Sequence, residues 1–158
     1  MKSPCLLGLA LCCFLTSFAF AHEKGSALTA AHKVYLGHYG TLRAALAADD
    51  LVGAKKAAQL LVDSPVDKAA NAADEKRIAT NLAAAKKAAT ADSLTDAREA
   101  FKTLSRKAVH LAEGQSGYYR LICPHVPDDQ GKWVQTTNNI ANPYHGKSML
   151  TCGKRLEE

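Results

Sequence analysis

Residues 93–111 read SLTDAREAFKTLSRKAVHL. Ser93 followed three residues later by Asp96 resembles a capping box, and Leu94, Ala97, Phe101, Leu104, Ala108 and Leu111 recur at steps of three and four. This spacing collects the apolar side chains on one helical face, which must be covered by neighbours. The upstream sequence supplies them. Leu28, His32, Tyr35, Tyr39, Leu42 and Leu46 form a second stripe with the same period. Gly37 and Gly40 flank it, and each lowers helix propensity enough to suggest close approach of another backbone. Asp49 or Asp50 is placed to cap a short helix carrying Leu51, Ala54, Ala58 and Leu61, which Ser64-Pro65 ends. A further helix is expected over residues 67–90, presenting Ile78, Leu82, Ala85 and Ala89 inward. Short connections between these segments predict an all-α, up-and-down bundle of about four helices.

Composition marks where that bundle stops. Residues 27–113 contain 25 alanines, whereas residues 114–158 contain Ala141 alone, with five glycines and three prolines. The expectation is a helical bundle over 27–113 and a loop-rich cap over 114–158. Short extended segments are expected at Tyr118–Cys123 and Lys132–Val134, on either side of the turn-rich Pro127–Gly131. With few large aliphatic residues, the cap needs a cross-link, a metal or docking onto the bundle to become ordered.

At the other end, Lys2, an apolar run from Cys5 to Phe20 and the ending Ala19-Phe20-Ala21 read as a secretory signal peptide over residues 1–21. Cleavage near Ala21 leaves residues 22–158 as a single periplasmic or secreted domain. No later segment approaches the length of a membrane span, so stable membrane insertion is not expected. The 20 basic and 15 acidic side chains give a formal charge of +5. Lys55-Lys56, Lys76-Arg77, Lys86-Lys87 and Arg106-Lys107 are spread over successive helices, without the clustering and interleaved aromatics of a nucleic-acid surface. The sequence also lacks a Cys-x-x-Cys pair, a glycine-rich phosphate loop, a His-Glu-x-x-His helix and a recognisable nucleophile arrangement, so no enzyme is expected, with a thiol redox role, the reduction of Cu(II), left open.

The cap carries the chemistry. Beyond the signal peptide only Cys123 and Cys152 remain, with His125 two positions after the first and Met149 three before the second. In an extended segment Cys123 and His125 project to the same side, and in a helical turn Met149 aligns with Cys152. Thiolate, thioether and imidazole donors suit Cu(I) and, less well because of the methionine, Zn(II). The alternative is a disulfide between Cys123 and Cys152, which would close a loop of about 30 residues and stabilise the cap by roughly 3 kcal/mol. In that case Met149 fills an apolar gap and His125 is a surface residue. Trp133, Pro143 and Tyr144 are read as the packing that fixes the cap to the bundle. His110 is a further, weaker ligand candidate, and His22 would offer an amino group beside its imidazole once the signal peptide is removed.

Cys123-Pro124-His125, Gly131-Lys132-Trp133-Val134, Ile140 to Gly146 (IANPYHG) and Met149 to Gly153 (MLTCG) resemble the C-terminal signature of the family called domain of unknown function 3347. Tyr39 to Asp50 (YGTLRAALAADD) and Arg98 to Ser105 (REAFKTLS) are similar to its helical segments, so the resemblance spans roughly residues 28–153. Members occur as exported bacterial proteins and as domains on periplasmic adaptor subunits of heavy-metal efflux systems. The resemblance therefore implies a link to copper or silver handling, with the metal ion and an efflux adaptor as partners. It carries the family's paired cysteines onto Cys123 and Cys152 and its late methionine onto Met149. The chain departs from the pattern at His125, where most members have Met, and at His145, where they tend to have an aromatic residue. With the resemblance, a metal site drawing on Cys123, His125, Met149 and Cys152 takes precedence over the disulfide.

Overall fold

A computed structural model describes residues 27–157; the expected signal peptide, its cleavage point and His22 lie outside the described residues. Four helices come first: α1 (Ala30–Ala47), α2 (Leu51–Val62), α3 (Ala72–Ala89) and α4 (Leu94–Leu111). Each starts where a polar side chain satisfies a free backbone N–H: Thr29 accepts from His32, Asp50 from Gly53, Asn71 from Asp74 and Ser93 from Asp96. The Ser93 hydroxyl also donates to the Asp96 carboxylate at 2.6 Å.

The helices bury the expected stripes of α1 and α4. Tyr35, Tyr39, Leu42 and Leu46 meet Ala97, Phe101, Leu104 and Ala108, while Ala54, Ala57, Ala58 and Leu61 of α2 and Ala84, Ala85 and Ala88 of α3 close the bundle. Two details of α3 differ from the sequence reading. It begins at Ala72 rather than near Asp67, because Asp67 is engaged elsewhere: its carboxylate accepts from the Thr29 hydroxyl at 2.7 Å and faces the His32 ring at 3.1 Å. Leu82 is exposed, and the inward row is made of alanines, which let neighbouring helices approach closely. The close approach expected at Gly37 and Gly40 is also absent. A Cβ at either position would meet nothing within 4 Å.

The cap contains a small antiparallel sheet of β1 (Tyr119–Ile122), β2 (Lys132–Gln135) and β3 (Lys154–Arg155), in the order β2-β1-β3. The sequence reading anticipated the first two strands and missed the third. Tyr119 pairs with Gln135 and Ile122 with Lys132 on one side of β1, and Leu121 pairs with Arg155 and Ile122 with Lys154 on the other. A hydrogen-bonded chain fastens this sheet to the bundle. The Val134 N–H donates to Tyr39 Oη (3.2 Å), Tyr39 lies 2.6 Å from Ser105 Oγ, and Ser105 donates to the Lys132 carbonyl (2.7 Å). The Ser105 proton is committed to Lys132, so Tyr39 is the donor to Ser105. Burial pushes the Tyr39 phenol far above its ordinary pKa, which keeps it protonated in that role. Phe101 continues the junction, stacked on Tyr39 at 5.1 Å and meeting the edge of Tyr144 at 5.6 Å. Tyr144 in turn meets Trp133 at 6.2 Å. Trp133 and Pro143 are fully buried and Tyr144 nearly so, in agreement with their expected packing role.

Candidate metal centre

The pairing of β3 with β1 is what brings the cysteines together. Ile122 lies opposite Lys154, so the chain leaving β1 at Cys123 runs beside the chain entering β3 through Cys152 and Gly153. Both residues are free cysteines, and their Sγ atoms lie 3.6 Å apart. The Cys123 N–H donates to the Gly131 carbonyl (3.0 Å), and its own carbonyl accepts from Val126 (3.3 Å). Cys123 to Val126 is therefore a tight turn and not the extended segment anticipated from sequence. The turn still delivers His125, whose Nδ1 lies 3.2 Å from Cys152 Sγ. Donor atoms of Cys123, His125 and Cys152 all lie within 4.8 Å of one another.

These separations suit a common ion. A tetrahedral centre with sulfur at about 2.3 Å and nitrogen at about 2.05 Å has S···S edges of roughly 3.8 Å and N···S edges of roughly 3.6 Å. The observed 3.6 and 3.2 Å lie close to these edges, and the third pair, Cys123 and His125, lies within 4.8 Å. Cys123 is buried, Cys152 half-buried and His125 exposed, so the cluster opens to solvent on the histidine side. Burial pushes the Cys152 thiol above its ordinary pKa, and the hydrogen bond to Cys123 adds to the shift.

Met149 ends a short 3-10 helix, Gly146–Met149, and its carbonyl accepts from the Cys152 N–H at 3.0 Å, giving the i, i+3 turn expected for this pair. Its side chain is half-buried. His110 takes no part in the cluster. Its side chain is 85% exposed, and its Nδ1 lies 3.9 Å from Glu113.

Sequence reasoning missed the residues that hold the second loop in place. Asn142 is fully buried; its Nδ2 donates to the Cys152 carbonyl (2.8 Å), and its Oδ1 accepts from Tyr144 (2.8 Å) and His145 (3.3 Å). Its backbone donates to Leu150 and accepts from Gly146. One side chain thus sets the path of residues 142–152. A polar residue outside any periodic pattern gives no burial signal; its place before Pro143 offered only a hint of a turn. Arg98 ties the same loop to the bundle, donating to the Pro143 and Leu46 carbonyls at 2.9 Å each and pairing with Asp49. Asp49, at φ 59°, also accepts from the Lys147 N–H at 3.1 Å. Arg98 and Lys147 together hold its carboxyl below the usual range.

Residues 35–117, more than half of the chain, match the family described as protein of unknown function (DUF3347). The chain belongs to this family. The match covers most of α1 and all of α2, α3 and α4 and ends before β1, so the strands of the cap and its donor cluster lie beyond the matched span. No curated protein and no solved structure matches the chain. The Cys123, His125 and Cys152 cluster is compatible with metal binding, and among the described residues no helix is long and apolar enough to cross a membrane.

Proposed function

We propose that this chain is an exported, non-enzymatic metal-binding protein whose cap holds Cu(I) for storage, scavenging or delivery to a heavy-metal efflux adaptor. The observation that carries the reading is the convergence of two thiols and an imidazole within 4.8 Å from segments nearly thirty residues apart. Soft sulfur donors favour Cu(I), with Zn(II) the secondary ion, and the Met149 thioether is offered as an additional soft donor from the Cys152 turn. Export follows from the reading of residues 1–21, and the efflux link follows from the family resemblance of the cap sequence. The bundle serves as the rigid support: Arg98 holds the loop that leads to Cys152, and Ser105 and Tyr39 hold β2, the strand paired with β1.

The test is a competition titration. Reduced mature protein is expected to withdraw one equivalent of Cu(I) from a chromogenic chelator, and a Cys123→Ser/Cys152→Ser variant is expected to withdraw none. Equal uptake by the two proteins overturns the proposal.

A second reading has its own support in the 3.6 Å Sγ separation, which is short enough for the thiols to be joined with little backbone movement. In it, Cys123 and Cys152 form a disulfide and the cap serves as a protein-interaction module. Intact-mass measurement on exported material, before any reductant is added, discriminates the two. A loss of about 2 Da in all of the protein favours the disulfide, and a retained ion under native conditions favours the metal.

A further inference from the structure

We infer that His145 is a fourth donor available to this site, so that besides Cu(I) the cluster also takes a divalent, tetrahedral ion of the Zn(II) class through a Cys2His2 set. The inference rests on the metal-binding reading above and extends it to an ion class and to a residue outside the 4.8 Å cluster. His145 Nε2 is buried and has no hydrogen-bond partner among the described residues. A buried ring nitrogen left unpaired is costly, and an adjacent ion removes that cost. The ring stands edge-on to His125 with centroids 6.4 Å apart. Two imidazoles sharing one tetrahedral ion, each nitrogen at about 2.05 Å, have centroids roughly 5.2 Å apart, so closure needs an approach of about 1 Å.

The backbone at His145 is held in place beside the cluster. The His145 N–H is held by Asn142 Oδ1, and its carbonyl accepts from the Ser148 hydroxyl at 2.6 Å, so the residue is fixed by the same side chain that holds the Cys152 carbonyl. Ligand and support thus share one anchor, an arrangement that orients donors before an ion arrives. Cys123 and His125 come from the turn after β1, and His145 and Cys152 come from the loop before β3. Two donors from each segment form a closed tetrahedral set of the structural zinc type.

Co(II) chloride added to the reduced, full-length mature protein reports both features, since thiolate-to-cobalt charge transfer reads the sulfurs and the intensity of the visible ligand-field bands reads tetrahedral geometry. The wild type is expected to give both signals. His145→Phe, which keeps a planar ring in the loop, is expected to retain charge transfer, to lose tetrahedral intensity and to bind Co(II) and Zn(II) at least about tenfold more weakly. Retained thiolate-to-cobalt charge transfer in His145→Phe verifies that Cys123 and Cys152 are still assembled. Unchanged Co(II) intensity and affinity in His145→Phe overturn the inference and leave the Cu(I) reading intact. Absence of any wild-type Co(II) signal alongside normal Cu(I) uptake overturns it in the same way, whereas failure of the wild type with both ions removes the underlying reading as well.

Discussion

Replacing Gly146 with alanine should be among the most damaging single-methyl additions in this protein. Gly146 has φ 55°, a conformation that costs an L-residue about 1–2 kcal/mol. A Cβ there would also overlap Asp49 Oδ1 and Arg98 Nη2 and would lie 2.7 Å from Asp49 Cγ. Arg98 cannot move aside freely, because it donates to the Leu46 and Pro143 carbonyls while only 18% of its side chain is exposed. Disturbing one such charged hydrogen bond costs about 1.5–3 kcal/mol, so the combined loss is about 2.5–5 kcal/mol. With a urea slope of about 2 kcal/mol per molar, the midpoint falls by roughly 1.2–2.5 M at unchanged slope. The control is Gly37→Ala, in the exposed interior of α1 with nothing within 4 Å of the added methyl; it should stabilise by about 0.8–1 kcal/mol. Two identical substitutions with opposite signs isolate the role of the loop anchor. A Gly146→Ala loss below about 1 kcal/mol would refute the reasoning.

Asn142→Ala removes the partner of one carbonyl and two N–H groups and should destabilise by about 2–4 kcal/mol in urea denaturation. Because the same side chain orients Cys152, Cu(I) affinity should drop about 10–100-fold; unchanged affinity would separate the loop from the site. Asp49→Asn keeps a residue that tolerates positive φ but removes the charge held by Arg98 and Lys147. The folded-state pKa of Asp49 is depressed, so its contribution is present above the ordinary carboxylate pKa and lost as pH falls through the lowered value. The stability gap between wild type and Asp49→Asn should therefore close on acidification, and paired denaturations at pH 7 and pH 2–3 that show a constant gap would contradict this. A mild oxidant should join Cys123 and Cys152, lowering the intact mass by about 2 Da and abolishing Cu(I) uptake until reductant is added. Uptake that persists in the fully oxidised protein would mean that the thiols are not the ligands.

The helices that matter most were legible because their contrast is high. Tyr39, Leu42, Phe101 and Leu104 stand at helical spacing among charged residues, and Ser93 announces the start of α4. In α3 the contrast fails. Nearly every candidate inward residue is alanine, so periodicity assigned Leu82 to the core, whereas Ala84 and Ala88 occupy it. The donor cluster was legible as chemistry but not as geometry. Cys123, His125 and Cys152 meet because two charged residues, Lys154 and Arg155, add an edge strand to β1, and neither residue resembles a strand former. That strand is held by a backbone bond from Leu156 to Arg120 (2.9 Å) and by Arg155 lying over the Tyr119 ring at 4.1 Å, both long-range contacts that leave no local pattern. The buried amides of Asn142 and Gln135 escaped notice for the same reason.

X-ray absorption at the copper edge of the reduced mature protein, loaded with one equivalent of Cu(I), tests the central claim most directly. The expected coordination sphere contains the sulfurs of Cys123 and Cys152 with at least one imidazole nitrogen, and Cys152→Ser loses one sulfur from it. A sphere of nitrogen and oxygen alone, or a sulfur signal unaffected by Cys152→Ser, would contradict it.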